Sequence, residues 1–207
     1  MKPLIIYLLS LPLFYLIGCF SSSRLLAKYF RSLNIYKVGT GHPDTENIFH
    51  NVSKPLGILA GLVDLGKMYL LLQSARLILS LPYFGFGQPT IMNLLLLTGF
   101  FIILGHCFPL THKFRGGRGM FSYIGFVLFF APLPMLIVAI CALFIIIKFA
   151  QNRFAKFMLV LLPPLLNFIP FFNTTFQHSP GFIGKMWLAA AIIGILNILV
   201  SKKLGEL

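Results

Sequence analysis

Acidic side chains are nearly absent from this sequence, and charged residues of either sign are few. Seventeen Lys and Arg stand against four acids, which are Asp44, Glu46, Asp64 and Glu206. Only 10% of the 207 residues are charged, whereas a soluble domain carries about 25%. With 58% hydrophobic residues and a mean hydropathy of +0.91, the composition excludes an ordinary soluble domain and predicts an integral membrane protein.

Cysteine is also scarce, since only Cys19, Cys107 and Cys141 occur. An odd number without CxxC spacing argues against a disulfide framework and against a zinc site, so we expect no metal and no cofactor. The run "LIGC" (Leu16 to Cys19) resembles a lipoprotein processing site. Because six further apolar segments follow it, we interpret it as the end of a first membrane helix.

Long apolar runs, by contrast, are abundant. A spanning helix needs about 20 apolar residues, and the run from Met120 to Phe149 is too long for one span and too short for two full ones. "APLP" (Ala131 to Pro134) breaks this run, because proline removes a backbone donor and disfavours helix before it. The sequence therefore predicts an all-α integral membrane protein, one multi-span domain over 1–207, with seven transmembrane helices. Their approximate bounds are 3–23, 55–80, 90–109, 118–131, 133–149, 154–172 and 183–201.

The basic residues predict the orientation of these spans. Thirteen of the seventeen fall at alternate connections or after the last span. The other connections, 81–89, 132–134 and 173–182, contain no Lys or Arg. The positive-inside rule then places the N-terminus outside and the C-terminus in the cytoplasm. Topology thus accounts for the basic excess, and we expect no nucleic acid partner.

Three polar stretches on the predicted cytoplasmic side carry the candidate chemistry: 34–50, 62–67 and 105–119. In the second stretch, Asp64 and Lys67 are three residues apart and share a helix face, so they can pair. Ionisable residues inside a span are costly and predict a functional role. The alternative is a neutral pair that only orients the helix.

The stretch "FRGGRG" (Phe114 to Gly119) ends where a helix is predicted to begin. A helix N-terminus offers free backbone N–H groups, and glycines let that backbone surround an anion. Phosphate binding is the chemistry this favours; the alternative is a basic turn that contacts anionic lipid headgroups. The residues concerned are Lys113, Arg115, Gly116, Gly117, Arg118 and Gly119.

The segment "GTGH" (Gly39 to His42) is either a turn or a second backbone cradle that directs the Thr40 hydroxyl at a ligand. His106 and His112 could act as a base, as a ligand or as interfacial residues.

Four stretches resemble the bacterial PlsY-type family of acyl-phosphate:glycerol-3-phosphate acyltransferases. They are "GCFSSSRLLAK" (18–28), "VGTGHPDTENIF" (38–49), "GILAGLVDLGK" (57–67) and "GHCFPLTHKFRGGRG" (105–119). The last resembles the family's GHxFPxxxxFKGGKG motif position by position, with arginine for lysine at Arg115 and Arg118. The resemblance covers about residues 10–125.

The resemblance implies transfer of a fatty acyl group from an acyl phosphate to the sn-1 hydroxyl of glycerol 3-phosphate, giving lysophosphatidic acid and phosphate. It also implies membrane lipids as surroundings, the bacterial inner membrane as location and a cytoplasmic active site. The catalytic residues it implies are Thr40, His106 and Asn47. The substrate and phosphate ligands it implies are Gly39, Gly41, Asp64, Lys67, Lys113, Arg115, Gly116, Gly117, Arg118 and Gly119.

The sequence departs from the family's GSGNxGATN loop, where Thr40, His42, Asp44 and Glu46 replace Ser, Asn, Gly and Thr. Two acids beside a dianionic substrate weaken its binding unless Lys37 or Arg118 neutralises them. The C-terminal family motif, roughly NxxRLxxGxE, is matched only loosely by Asn197 to Leu207.

Two alternatives stay open from the sequence. One is a diverged enzyme that acylates another phosphorylated or hydroxylated acceptor. The other is a non-catalytic membrane protein of the same fold that binds lipid or phosphate. A transporter is disfavoured, because the polar residues lie at one predicted membrane face rather than across its middle.

Overall fold

The structure, a computed structural model, describes residues 2–173 and 182–203. Within these ranges every regular element is a helix and no strand occurs. Short 3₁₀ turns cover Ile35–Lys37 and Leu110–His112. The α-helices are α1 (Lys2–Gly18), α2 (Ser22–Arg31), α3 (Thr45–Asn51), α4 (Lys54–Leu79), α5 (Gln88–Cys107), α6 (Met120–Phe130), α7 (Pro132–Phe149), α8 (Asn152–Leu166), α9 (Pro170–Asn173) and α10 (Phe182–Lys203).

Each of the seven segments predicted to span the membrane is mainly helical. Five helices agree with the predicted bounds to within two residues, and two differ by more. The predicted segment 3–23 ends at Gly18, and the Ser21 side chain caps the start of the separate helix α2 by accepting from the Arg24 N–H. The predicted segment 154–172 ends at Leu166, and the short α9 follows a turn.

The break predicted at "APLP" is confirmed. Ala131 has φ −142° and ψ 70°, which ends α6, and α7 begins at Pro132. Proline suits the first helical position, where its missing N–H would have no partner in any case. Ala131 is fully buried, so the turn between α6 and α7 is part of the core.

Four helical stretches are long and apolar enough to cross a membrane: Lys2–Arg31, Lys54–Leu79, Gln88–His112 and Pro132–Phe149. Met120–Phe130 and Ile183–Ile195 are shorter apolar stretches. Long hydrophobic side chains cover much of the outer surface, among them Leu9, Leu70, Ile140 and Ile147. The all-helical integral membrane class is therefore confirmed. Helix length and composition identify four of the seven predicted spans.

Glycines allow the helices to approach closely. A Cβ at Gly18 would overlap the Ile102 carbonyl, and one at Gly105 would overlap the Tyr15 carbonyl, so α1 and α5 pack backbone to backbone. On α4, a Cβ at Gly61 would lie 2.7 Å from the Phe121 ring. Small residues give membrane helices this kind of contact in place of a hydrophobic driving force.

The polar stretches meet at one end of the helix bundle, here called the loop face and formed by residues 19–53, 105–119 and 150–156. Hydrogen bonds join them over long sequence separations, such as the one from the Tyr36 hydroxyl to the Arg115 carbonyl at 3.2 Å. The C-terminal motif falls partly outside the described residues, since it includes Gly205 and Glu206. Most of the predicted connection 173–182 lies outside them as well.

Candidate functional site

The 105–119 stretch is shaped mainly by its own backbone. After α5 ends at Cys107, Lys113 and Phe114 adopt positive φ values of 53° and 58°, which turn the chain back on itself. The Gly117 N–H then donates to the His106 carbonyl at 3.2 Å. Helix α6 starts directly afterwards, as the sequence predicts, so its free N–H groups lie beside the glycines.

Gly117 lies where the 105–119 stretch approaches the 38–50 loop. A Cβ there would lie 2.8 Å from His106 Nε2, 3.2 Å from the Pro43 carbonyl oxygen and 3.3 Å from Asp44 Cβ. A side chain at this position would require His106 to shift and the 38–50 loop to yield slightly, so glycine allows the close approach of the two loops. The close approach brings His106 and the 38–50 loop to the two sides of one residue.

The 38–50 loop is organised by a single side chain, that of Asn47. Its Nδ2 donates to the carbonyls of Val38 and His42, both at 2.9 Å, and its Oδ1 accepts from the Thr40 N–H at 3.2 Å. Asn51 donates to the same Oδ1 at 3.0 Å. Because Asn47 is almost fully buried and its amide is committed to the loop, this geometry positions Thr40 instead of presenting the amide to a ligand.

The two unexpected acids of this loop are both paired. Arg118 Nε donates to Asp44 Oδ2 at 2.7 Å, and Arg118 Nη1 lies 2.9 Å from Glu46 Oε2. Lys156 of α8 donates to both Glu46 carboxylate oxygens at 2.7 Å. Of the two neutralising residues that the sequence suggests, Arg118 does make the contact. Lys156, which sequence reasoning missed, provides the second charge.

The environment of Glu46 acts on its pKa in two opposite directions. Burial alone would raise the pKa of this carboxyl, because desolvation disfavours the charged form. The hydrogen bond from Lys156 and the positive charges of Arg118, Lys156 and His50 outweigh burial, so the pKa lies below its ordinary value. Glu46 is therefore charged at neutral pH, as the pairing requires.

Behind the two loops lies a second buried polar group, on α4 and α5. Lys67 Nζ is 3.7 Å from Asp64 Oδ1, which confirms that the two side chains share a helix face. Lys67 also donates to the carbonyls of Gly18 at 3.3 Å and Phe20 at 2.8 Å, where α1 ends. These bonds let Lys67 fix the end of α1 in addition to pairing with Asp64.

Asp64 Oδ1 and His106 Nδ1 are 3.9 Å apart, too far for a direct hydrogen bond. Both atoms are buried, and neither has a hydrogen-bond partner within residues 2–173 and 182–203. Asp64 is only 2% exposed. Because a buried polar atom without a partner is costly, these two atoms are candidates for contact with a ligand.

The predicted phosphate ligands divide into two groups. Arg118 is 4% exposed and faces the two carboxylates, whereas Lys113 and Arg115 are exposed at the edge of the loop face. The glycines at 39, 41, 116, 117 and 119 lie in the two loops that pack against each other. The structure thus brings together the loops that contain Thr40, Asn47 and His106, and it leaves two of the cations at the surface.

Sequence reasoning missed other contacts at this face for a common reason. Ser22 donates to the Ala60 carbonyl at 3.2 Å, and Tyr36 stacks on His112 with ring centroids 6.4 Å apart. Residue types and local spacing carry no signal for such contacts, because the partners are many residues apart. No three His, Cys, Asp or Glu side chains that could hold a metal ion converge in the described part of the chain.

Comparison with known proteins places this arrangement in a family. Residues 8–203 match the family described as glycerol-3-phosphate acyltransferase. A glycerol-3-phosphate acyltransferase of Ureaplasma urealyticum is 29% identical over 188 residues, which are 82% of this chain and 73% of that protein. One from Staphylococcus aureus is 35% identical over 139 residues, 67% of each chain.

Solved structures agree at the level of the fold. The crystal structure of PlsY, an integral membrane glycerol 3-phosphate acyltransferase, in its glycerol 3-phosphate form aligns with a TM-score of 0.73. The alignment covers 95% of this chain and 88% of that one at 22% identity. The lysophosphatidic acid form aligns with a TM-score of 0.69. The chain therefore belongs to the PlsY-type glycerol-3-phosphate acyltransferase family and is a membrane acyltransferase.

Proposed function

We propose that this acyltransferase moves a fatty acyl group from an acyl phosphate to the sn-1 hydroxyl of glycerol 3-phosphate. In this step the sn-1 oxygen forms a bond to the acyl carbonyl carbon, and the bond from that carbon to the phosphate oxygen breaks. The hydroxyl proton ends on the released phosphate, and the product is lysophosphatidic acid. The acyl phosphate is already activated, so the reaction requires no covalent intermediate on Ser or Cys.

The close contact of two glycine-containing loops carries this proposal. Gly117 lies between His106 and the 38–50 loop, and the start of α6 adds free backbone N–H groups beside it. Two phosphates could be held there while one hydroxyl is aimed at a carbonyl, which is catalysis by positioning and by electrostatic stabilisation. The arrangement of the two loops therefore supports a reaction that requires two bound phosphates and one hydroxyl aimed at a carbonyl.

In this proposal the backbone at Gly116, Gly117 and Gly119 and the exposed Lys113 and Arg115 bind phosphate. Gly39 and Gly41 shape the second cradle. The Thr40 hydroxyl contacts the substrate, and Asn47 sets the position of Thr40 through the 3.2 Å bond to its N–H. His106 takes part in proton movement, supported by its unpartnered Nδ1 opposite Asp64, while Lys67 holds the end of α1 beside them.

The same proposal includes the membrane arrangement. All seven predicted helices of the single domain 1–207 cross the bilayer of the bacterial plasma membrane, with the N-terminus outside and the C-terminus in the cytoplasm. The loop face is then cytoplasmic, where glycerol 3-phosphate is soluble, and the acyl chain of the donor lies among the membrane lipids. The basic residues at 113, 115, 118, 153 and 156, all at or near the loop face, support this orientation.

A second candidate function has one observation in its favour. Asp44 and Glu46 stand where the family's loop has Gly and Thr, in the loop that would meet the acceptor, and this change suits an acceptor other than glycerol 3-phosphate. Such an enzyme would still use the acyl phosphate donor and would acylate another hydroxyl compound.

One assay separates these candidates. Purified protein in detergent or lipid cubic phase receives palmitoyl phosphate with and without glycerol 3-phosphate, and phosphate release is followed. Release that depends on glycerol 3-phosphate supports the first function, and release that depends on another added hydroxyl compound supports the second. No release with any added acceptor from well-folded protein would overturn the enzymatic role. Thr40→Ala should lower kcat, while Thr40→Ser, which keeps the hydroxyl, should restore it.

A further inference from the structure

Four charged side chains form a continuous cluster across the loop face. Lys156 contacts Glu46, Glu46 contacts Arg118, and Arg118 contacts Asp44 at distances from 2.7 to 2.9 Å. We call Asp44, Glu46, Arg118 and Lys156 the ion cluster. It contains two cations and two anions, so its formal charge is zero. It joins three parts of the chain: the α3 region, the segment before α6, and α8.

The ion cluster continues into the loop that carries Thr40. The second carboxylate oxygen of Asp44, Oδ1, accepts from the Asn47 N–H at 2.9 Å and caps α3. Asn47 in turn accepts from the Thr40 N–H. Contacts thus run from Lys156 on α8 to Thr40 without a break.

We propose that Glu46 and Lys156 are positioning residues for acyl transfer, and that the ion cluster holds the 38–50 loop in the orientation that aims Thr40 at the substrate. This inference rests on the function proposed above. In it Arg118 acts mainly as the centre of the ion cluster, and the backbone of the glycine loop with the exposed Lys113 and Arg115 provides the phosphate contacts.

The burial of the four side chains supports this division of roles. The side chains of Arg118 and Asp44 are 4% and 9% exposed, so the contact between these two is made in a largely water-free environment. Charged groups in such places are retained when paired and are costly when a partner is removed. The side chains of Glu46 and Lys156 are 30% and 26% exposed and close the cluster toward the surface.

The neutral charge also resolves the conflict between two acids and an anionic substrate. With Lys156 in place, each carboxylate is balanced by a cation within the cluster. Without Lys156, Arg118 alone serves both Asp44 and Glu46, and one negative charge remains unbalanced beside the phosphate. The role of Lys156 is therefore to make Glu46 compatible with a phosphorylated substrate.

Steady-state kinetics with palmitoyl phosphate and glycerol 3-phosphate test this in Lys156→Met, Lys156→Arg, Glu46→Gln and the double variant Glu46→Gln with Lys156→Met. Lys156→Met should raise the KM for glycerol 3-phosphate about tenfold, because the carboxylate charge left unbalanced then repels the substrate phosphate. Lys156→Arg keeps the charge and should stay close to wild type. The exposed Lys54→Met on α4 is the matched control and should leave KM unchanged.

Glu46→Gln discriminates between positioning and simple repulsion by the sign of its effect. If Glu46 positions the loop, the variant lowers kcat because the link between α8 and Arg118 loosens. If Glu46 only repels phosphate, the variant lowers KM and leaves kcat unchanged, which overturns the inference. In the double variant, removal of the unbalanced charge should bring KM back toward wild type. Additive effects of the two substitutions on KM would contradict the proposal that Glu46 and Lys156 act together in the ion cluster.

Thermal unfolding of the same variants in detergent gives a readout independent of turnover. We expect a coupling between Glu46 and Lys156 in a double-mutant cycle of unfolding midpoints. An active wild type without this coupling would overturn the ion cluster and leave the proposed function standing. An inactive wild type would overturn the proposed function and the positioning role with it, even if the thermal coupling is present.

Discussion

The two loops that meet at Gly117 are held in different ways. The 105–119 loop relies on its backbone: positive φ values at Lys113 and Phe114, glycines without room for a Cβ, and a hydrogen bond from Gly117 to His106. The 38–50 loop also has positive φ values at Gly39 and Gly41, but side chains hold it in place, above all Asn47 and the ion cluster. A loop shaped by backbone tolerates few substitutions, whereas one held by charges can exchange residues if the charges stay balanced.

This difference explains why the resemblance to the family is uneven. Between Gly105 and Gly119 the glycines of the motif are kept, and arginine replaces lysine without changing the charge. At Asp44 and Glu46 the family's residues are replaced by acids, and the replacement is accommodated because Arg118 and Lys156 lie within 2.9 Å. Substitutions that affect only one of the two loops test this explanation directly.

The largest effect is expected from Arg118→Ala. It leaves Asp44 buried and unpaired, a loss of about 3–5 kcal/mol in unfolding free energy. The unfolding midpoint in detergent should fall sharply and activity should be lost with it. Arg115→Ala in the same loop, on an exposed side chain, should raise KM without lowering the midpoint. A stable Arg118→Ala protein with only a raised KM would assign Arg118 to phosphate binding instead.

Gly117→Ala should have the second largest effect, a lower kcat. The added Cβ would lie 2.8 Å from His106 Nε2 and 3.2 Å from the Pro43 carbonyl oxygen, so His106 or the 38–50 loop must move, and a displacement of this kind costs about 100-fold in kcat. Gly66→Ala is the matched control, because a Cβ on that glycine of α4 meets no atom within 4 Å. Equal rates for the two variants would show that the contact at Gly117 has no role in turnover.

Asn47→Ala should have an intermediate effect on kcat, because it changes only the 38–50 loop. The carbonyls of Val38 and His42 and the Thr40 N–H lose their partner, at about 1–3 kcal/mol for each group that stays buried. We expect kcat to fall about tenfold, which equals about 1.4 kcal/mol. Asn51→Ala removes only one bond to Asn47 and should be close to wild type in kcat. If both variants behave alike, Asn47 does not organise the loop.

The pH dependence of Glu46 should be the smallest effect. Its pKa is lowered in the folded protein, so its stabilising contribution is complete above the unfolded value of about 4.3 and is lost as pH falls through the folded value. The difference in unfolding midpoint between wild type and Glu46→Gln should therefore shrink as the pH is lowered from about 6 to 3. A difference that stays constant or grows would contradict the pairing with Lys156, Arg118 and His50.

Much of the helical framework could be predicted from residue patterns alone. The break at Ala131, the start of α6 after the glycines and the shared face of Asp64 and Lys67 follow from local rules about proline, glycine and helical spacing. The end of α1 at Gly18 could not, because it coincides with carbonyls that accept from Lys67, nearly fifty residues away along the chain. Local rules carry no information about such partners.

The sequence by itself determined the membrane class, the helical segments and the family, because hydrophobicity, proline, glycine and a long motif act locally or along one stretch. Only the tertiary structure decided which charges meet. Seventeen basic residues were available to neutralise two acids, and Arg118 and Lys156 do so because folding brings the start of α6 and α8 against the 38–50 loop. Coulomb interactions depend on distance in space, and sequence spacing does not report that distance.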